Sequence, residues 1–127
     1  MLEARPVKGR VVLVVEDQFL IADDIAALLR ESGAEVIGPA HSLPMAMRLA
    51  GDAPRIDAAL LNINLQEVTV FPLADDLLSR GVPILFVTGY GEEVIPDEYS
   101  HIKRCDKPIA ACRLVDELRA LVRPIAA

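Results

Sequence analysis

Five short apolar runs, separated by stretches of helical periodicity, constrain this chain more than anything else in it. Val11-Val12-Leu13-Val14-Val15 is continuous and mostly β-branched, the pattern of a strand buried on both faces. Residues 58–61 are entirely apolar and are predicted to form a central strand, and residues 84–87 a further buried one. Residues 35–38 form a shorter second strand, and residues 101–105, mixed in polarity, read as an edge strand. Between them lie helical patterns. Ile21, Ile25 and Leu28 share one face ahead of Gly33, a good residue just past a helix end. Ser42 caps a helix carrying Met45, Met47 and Leu49 and closed by Gly51. After a loop, Pro72 opens a helix with Leu73, Leu77 and Leu78, with Arg80 in its last turn and Gly81 beyond. A final helix follows Pro108, with Ala111, Leu114, Val115, Leu118, Leu121 and Val122 at helical spacing. Residues 91–100, holding Pro96 and little apolar periodicity, are expected to give a turn or two of helix at most. Strictly alternating strands and helices imply a parallel sheet covered on both faces, joined by right-handed crossovers.

Composition narrows the setting. A chain of 127 residues makes one domain with one core. Apolar residues reach 53%, yet no run approaches the roughly 18 residues that cross a bilayer. The basic start leads into a strand rather than a signal peptide, so no membrane association is expected. The two cysteines, Cys105 and Cys112, have neither disulfide-framework nor metal-ligand spacing, which points to a reducing, cytoplasmic setting. A net charge of −6 argues against general nucleic-acid binding. Residues 1–9, with Arg5 and Lys8, read as a solvated N-terminal tail. The domain covers residues 10–123, and residues 124–127 form a short C-terminal tail. With only Pro124 and three small or apolar residues after the last helical pattern, a stand-alone domain is expected.

In a doubly wound sheet, ligands gather beyond the carboxyl ends of the strands. Glu16 and Asp17 follow the first strand and Asn62 the third. Thr88 and Gly89 follow the fourth; Asp106, Lys107 and Pro108 follow the fifth. Two acids, an amide, a hydroxyl and an ammonium are thus expected in one crevice. Paired acids suit Mg²⁺, a hard cation that takes oxygen ligands. A hydroxyl and an ammonium suit the oxygens of a transferring phosphoryl group. An aspartate between them would be the nucleophile of an acyl phosphate.

These motifs, VVLVVED, DAALLNINL, LFVTGY and DKPI, resemble over roughly residues 10–123 the receiver domains of bacterial two-component response regulators. The resemblance implies a flavodoxin-like (CheY-like) five-stranded parallel sheet in order 2-1-3-4-5, with a shortened fourth helix. It implies Mg²⁺ ligation by Asp17, by Glu16 through water, by Asn62 and by the Asn64 carbonyl. Thr88 would be the switch hydroxyl and Lys107 the phosphoryl clamp, with a cis peptide at Lys107-Pro108. Implied partners are a histidine kinase, a phosphotransfer protein or another signalling protein, with a homodimer through the last strand and helix. The strand end Phe-Val-Thr-Gly is also similar to the Phe-Ala-Thr-Gly of a group of stand-alone alphaproteobacterial receivers, with Val87 in place of alanine.

Two positions depart from the receiver pattern. Asn62 stands where the phosphoacceptor aspartate belongs, and a carboxamide cannot form the ordinary acyl phosphate. Its carbonyl can face a metal and its NH₂ can face Glu16 or Asp17. Losing one carboxylate removes, at about 4 Å, on the order of 4 kcal/mol of attraction for a unit charge at an effective dielectric near 20, so weakened magnesium binding is expected. Arg104 stands where many receivers carry an aromatic that turns inward, and an arginine does not enter an apolar pocket unpaired; Tyr90 is an alternative aromatic. Asp57 lies at the far end of the third strand, more than about 10 Å from Asn62 at roughly 3.3 Å per residue, and is no surrogate acceptor. His41, His101 and the cysteines read as packing or solvated residues.

The expected function is signalling through protein contacts, with no catalytic residue and no enzyme activity. Three alternatives stay open: an engineered Asn62 in an ordinary Mg-dependent receiver, a scaffold indifferent to its pocket, and a small flavodoxin-like enzyme. The last lacks a glycine-rich phosphate loop after the first strand.

Overall fold

The computed structural model of the chain describes residues 7–66, 68–88, 95–106 and 111–121. Five parallel strands form the sheet: β1 (Val11–Val15), β2 (Glu35–Ala40), β3 (Ala58–Asn62), β6 (Ile84–Thr88) and β7 (Lys103–Asp106), in the order β2-β1-β3-β6-β7. Numbering only the parallel strands, this is the expected 2-1-3-4-5. The most apolar run, β3, is buried at every position and sits in the middle, because only a strand without solvent-facing polar residues tolerates two covered faces.

The period of two along each strand sorts side chains between two cores. Leu13, Val15, Ala59, Leu61 and Phe86 face helices α2 (Leu43–Asp52) and α3 (Phe71–Ser79), meeting Ala46, Ala50, Leu73 and Leu77. Val12, Val14, Leu60, Leu85 and Val87 face α1 (Phe19–Glu31) and α4 (Ala111–Leu121), meeting Ile25, Leu29, Leu114 and Leu118. Burying each leucine of this set stabilises the fold by about 1.5–3 kcal/mol before entropy is counted. The face of α1 that packs is Ala22, Ile25, Ala26 and Leu29. Ile21 and Leu28 lie at its margin.

Local signals set most helix ends. Ser42 Oγ accepts the Met45 N–H at 3.3 Å as the N-cap of α2. Gly33 and Gly81 take positive φ just past α1 and α3, where a side chain would be strained. Gly51, expected to close α2, lies inside it, and Ala53 is the C-cap. The fifth strand begins two residues later than expected, at Lys103. Between β6 and β7 the described residues hold a single 3₁₀ turn, Asp97–Tyr99.

Three further features differ from expectation. Val7, placed in a solvated tail, is fully buried against Val12, Ala34 and Ala58, and Gly9 N–H donates to the Gly33 carbonyl, so packing begins before residue 10. In β2 the cis Gly38-Pro39 peptide accompanies a register shift against β1. A Cβ on Gly38 would come within 2.6 Å of the Ala40 nitrogen, at φ +98°, so glycine alone fits there. The segment after β3, expected as plain loop, is a small antiparallel hairpin of β4 (Asn64–Leu65) and β5 (Val68–Thr69). Lys107-Pro108, Tyr90 and Val122 lie outside the described residues.

Candidate functional site

Parallel register builds the site. Leu61 pairs with Val15, so the next residues, Asn62 and Glu16, stand level beyond the sheet. Asn62 pairs with Val87, and Thr88 with Asp106, so Thr88 ends its strand at the same edge. The side chain of Thr88 lies outside the described set, as does Lys107. Of the expected pocket residues, Glu16, Asp17 and Asn62 are in direct contact. Asn64 opens the hairpin, where it pairs with Thr69 and is exposed.

Contact among the three is made by one nitrogen. Asn62 Nδ2 donates to Asp17 Oδ1 at 2.9 Å and to Glu16 Oε2 at 3.2 Å. Carboxylates offer only acceptors, so they orient the amide with its NH₂ toward them. Backbone donors complete the arrangement. Gln18 N–H reaches Glu16 Oε2 at 3.1 Å, and Gln66 N–H reaches Asp17 Oδ2 at 3.2 Å. Glu16 and Asn62 are 1% and 7% exposed, respectively, deep enough for the bond between them to be shielded from water, whereas the Gln66–Asp17 bond is exposed.

Gln66 was not singled out by its sequence position. It follows β4 at φ +63°, a left-handed conformation that hairpin turns favour but that glutamine seldom supplies. No Asn-Gly or Asp-Gly pair marks the turn. Its position is instead tied to the Asp17 carboxylate.

Around the pocket, His41 Nδ1 donates to the Glu16 carbonyl at 3.0 Å, since a carbonyl only accepts. The imidazole packs on Phe19 with ring centroids 3.9 Å apart. His41 thus braces the loop after β1, which agrees with a structural reading. Cys105 is buried. Arg104 faces solvent, so the inward-turning aromatic expected of many receivers has no counterpart at this position. A different aromatic group fills the interior: Tyr99 stacks on Phe71 at 4.6 Å, and its hydroxyl donates to Asp75 Oδ1 at 2.5 Å. That bond and burial both raise the Tyr99 pKa above the ordinary phenol value.

Magnesium needs several oxygens free to face it in near-octahedral array. Here the two carboxylates that would face the ion are bridged by an N–H donor, and the remaining Asp17 oxygen accepts from Gln66. As arranged, the donor set does not fit a hard cation. Among the described residues no group of three His, Cys, Asp or Glu side chains could hold a metal.

No family model matches the chain. It is 34% identical over 89 residues to the Phyllosphere-induced regulator PhyR of Methylorubrum extorquens, covering 68% of this chain and 33% of that protein. It is 31% identical over 118 residues to the sensory transduction protein RegX3 of Mycolicibacterium smegmatis, covering 88% of this chain and 50% of that one. The chain therefore spans about a third to a half of the length of the curated relatives it matches. In three dimensions it is similar to SdrG of Sphingomonas melonis, with a TM-score of 0.77 and 26% identity over 91% of this chain and 97% of SdrG.

Proposed function

The chain belongs to the receiver domains of response regulators, and we propose that it signals in a two-component-type pathway through protein contacts, without forming the usual aspartyl phosphate. The carrying observation is Asn62. At the end of the central strand, where the nucleophile would stand, an amide donates hydrogen bonds to the acid pair. An acyl phosphate forms by attack of a carboxylate oxygen on phosphorus, and this side chain has no such oxygen to give. Thr88 and Lys107 keep the roles of switch hydroxyl and clamp only in relation to a phosphoryl group, which the native chain does not acquire by this route. Any magnesium would bind more weakly than in a receiver with three carboxylates; Glu16, Asp17, Asn62 and Asn64 would face it only once the Asn62 bridge to the acids had opened.

The partner is a histidine kinase, a phosphotransfer protein or another signalling protein, met in the cytoplasm. Among the described residues no helix is long and apolar enough to cross a membrane. The face of β7 and α4 is the surface assigned to a partner or a second copy. Its charges include Lys103, paired with Glu117 at 3.3 Å, and Arg119, 3.8 Å from Asp116.

The test is incubation of the native chain and its Asn62→Asp variant with acetyl phosphate and Mg²⁺, resolved on a phosphate-affinity gel. The native chain is expected to stay unshifted while the variant shifts. A native chain that acquires a hydroxylamine-labile acyl phosphate as fast as the variant would overturn the reading.

A further inference from the structure

We propose that the Asn62 amide is a built-in replacement for the divalent cation, so that the acid pocket and the hairpin resting on it are assembled without metal. The inference uses the receiver reading only for the expectation that an ion belongs between these acids. Two carboxylates side by side, one of them almost wholly buried, need something between them that answers negative charge. An NH₂ group has two hydrogens, and Asn62 aims its nitrogen at one oxygen of each acid, 2.9 Å from Asp17 Oδ1 and 3.2 Å from Glu16 Oε2. An aspartate at 62 could offer neither hydrogen and would add a third negative charge.

The backbone extends the same arrangement. Gln66 N–H holds the other Asp17 oxygen at 3.2 Å and Gln18 N–H shares Glu16 Oε2 at 3.1 Å. The hairpin tip is thereby attached to the pocket by Asp17 itself. Four N–H hydrogens converge on three of the pair's four carboxylate oxygens. A cation entering this site must break the Asn62 bridge, and Gln66 must give up its acceptor or share it. Binding is therefore opposed twice: by the missing carboxylate and by donors already seated.

Manganese, a paramagnetic stand-in for magnesium, provides the readout by electron paramagnetic resonance, with thermal melting alongside. The native chain is expected to take up no saturable Mn²⁺ through the millimolar range and to melt at the same temperature in Mg²⁺ or EDTA. Asn62→Asp is expected to melt about 5 °C or more lower in EDTA and to recover in Mg²⁺. Asn62→Ala removes the donors without adding charge, and it is expected to gain saturable Mn²⁺ binding that Mg²⁺ displaces. Saturable Mn²⁺ binding by the native chain, or an Asn62→Ala variant that binds no better than native, would overturn the proposal. No phosphoryl donor is present in these measurements, so their outcome is separate from that of the phosphorylation gel.

Discussion

The two ends of β3 answer negative charge in opposite ways. At its carboxyl end, Asn62 lies between two like charges and separates them with a neutral dipole. Just before its amino end, Asp57 is itself the charge, and a cation answers it: Arg55 contacts its carboxylate at 2.9 Å. Asp57 Oδ2 also accepts the Val11 N–H at 2.8 Å, while Arg55 reaches on to the Gly9 carbonyl at 3.0 Å. That second site ties the start of β1 to the start of β3 and is open to water. The first is nearly closed. The difference teaches what each can do: a water-accessible ion pair fastens strands, whereas an acid pair with one buried member is held by the Asn62 amide together with the Gln18 and Gln66 N–H groups.

The comparison breaks most sharply at Asn62. Asn62→Leu removes both side-chain donors beside a buried carboxylate, while the Gln18 and Gln66 N–H groups keep their bonds, and an expected loss of about 1–3 kcal/mol in urea unfolding follows from the lost donors. A loss under about 1 kcal/mol would mean the acids do not depend on the amide. Asp57→Ala comes next. It strands the Val11 N–H and frees Arg55, for an expected loss of about 1–2 kcal/mol by the same measurement. Arg55→Ala should cost less than Asp57→Ala, and the difference should shrink in about 1 M salt, because surface pairs are screened.

Acid titration sharpens the contrast further. Burial pushes the Asp57 carboxyl up, but the Arg55 and Val11 hydrogen bonds and the charges of Arg55 and Arg10 outweigh it and hold the group below its usual range. Stability from a lowered carboxyl is fully present above its unfolded value, near about 3.9, and is lost as pH falls through the folded one. Native protein should therefore lose stability below about pH 4 more steeply than Asp57→Asn. Parallel curves would remove Asp57 from the acid response.

Much of this was legible because strands and caps are local. Continuous apolar runs placed β1, β3 and β6, alternation gave a parallel sheet, and its strand order followed from the resemblance. Ser42, Gly33 and Gly81 marked their turns by chemistry that depends on a few neighbouring residues. The acids and Asn62 were found by reading the residue after each run. Less legible were Val7, whose burial depends on contacts with Val12 and Ala58, and Tyr99, whose stacking partner Phe71 lies in another helix.

By itself, then, the sequence determined where β1 and β3 end to within a residue, and so which chemistry could meet: two acids and an amide in place of a carboxylate nucleophile. Periodicity and residue type suffice for that, since both act within a few positions. Only the tertiary structure decided how the groups face each other. That Asn62 points its nitrogen at both acids, and that Gln66 turns left-handed to reach Asp17, depends on bonds spanning 45 to 49 positions. Hydrogen-bond direction is set by what stands opposite, and what stands opposite exists only once the sheet has brought its strands together.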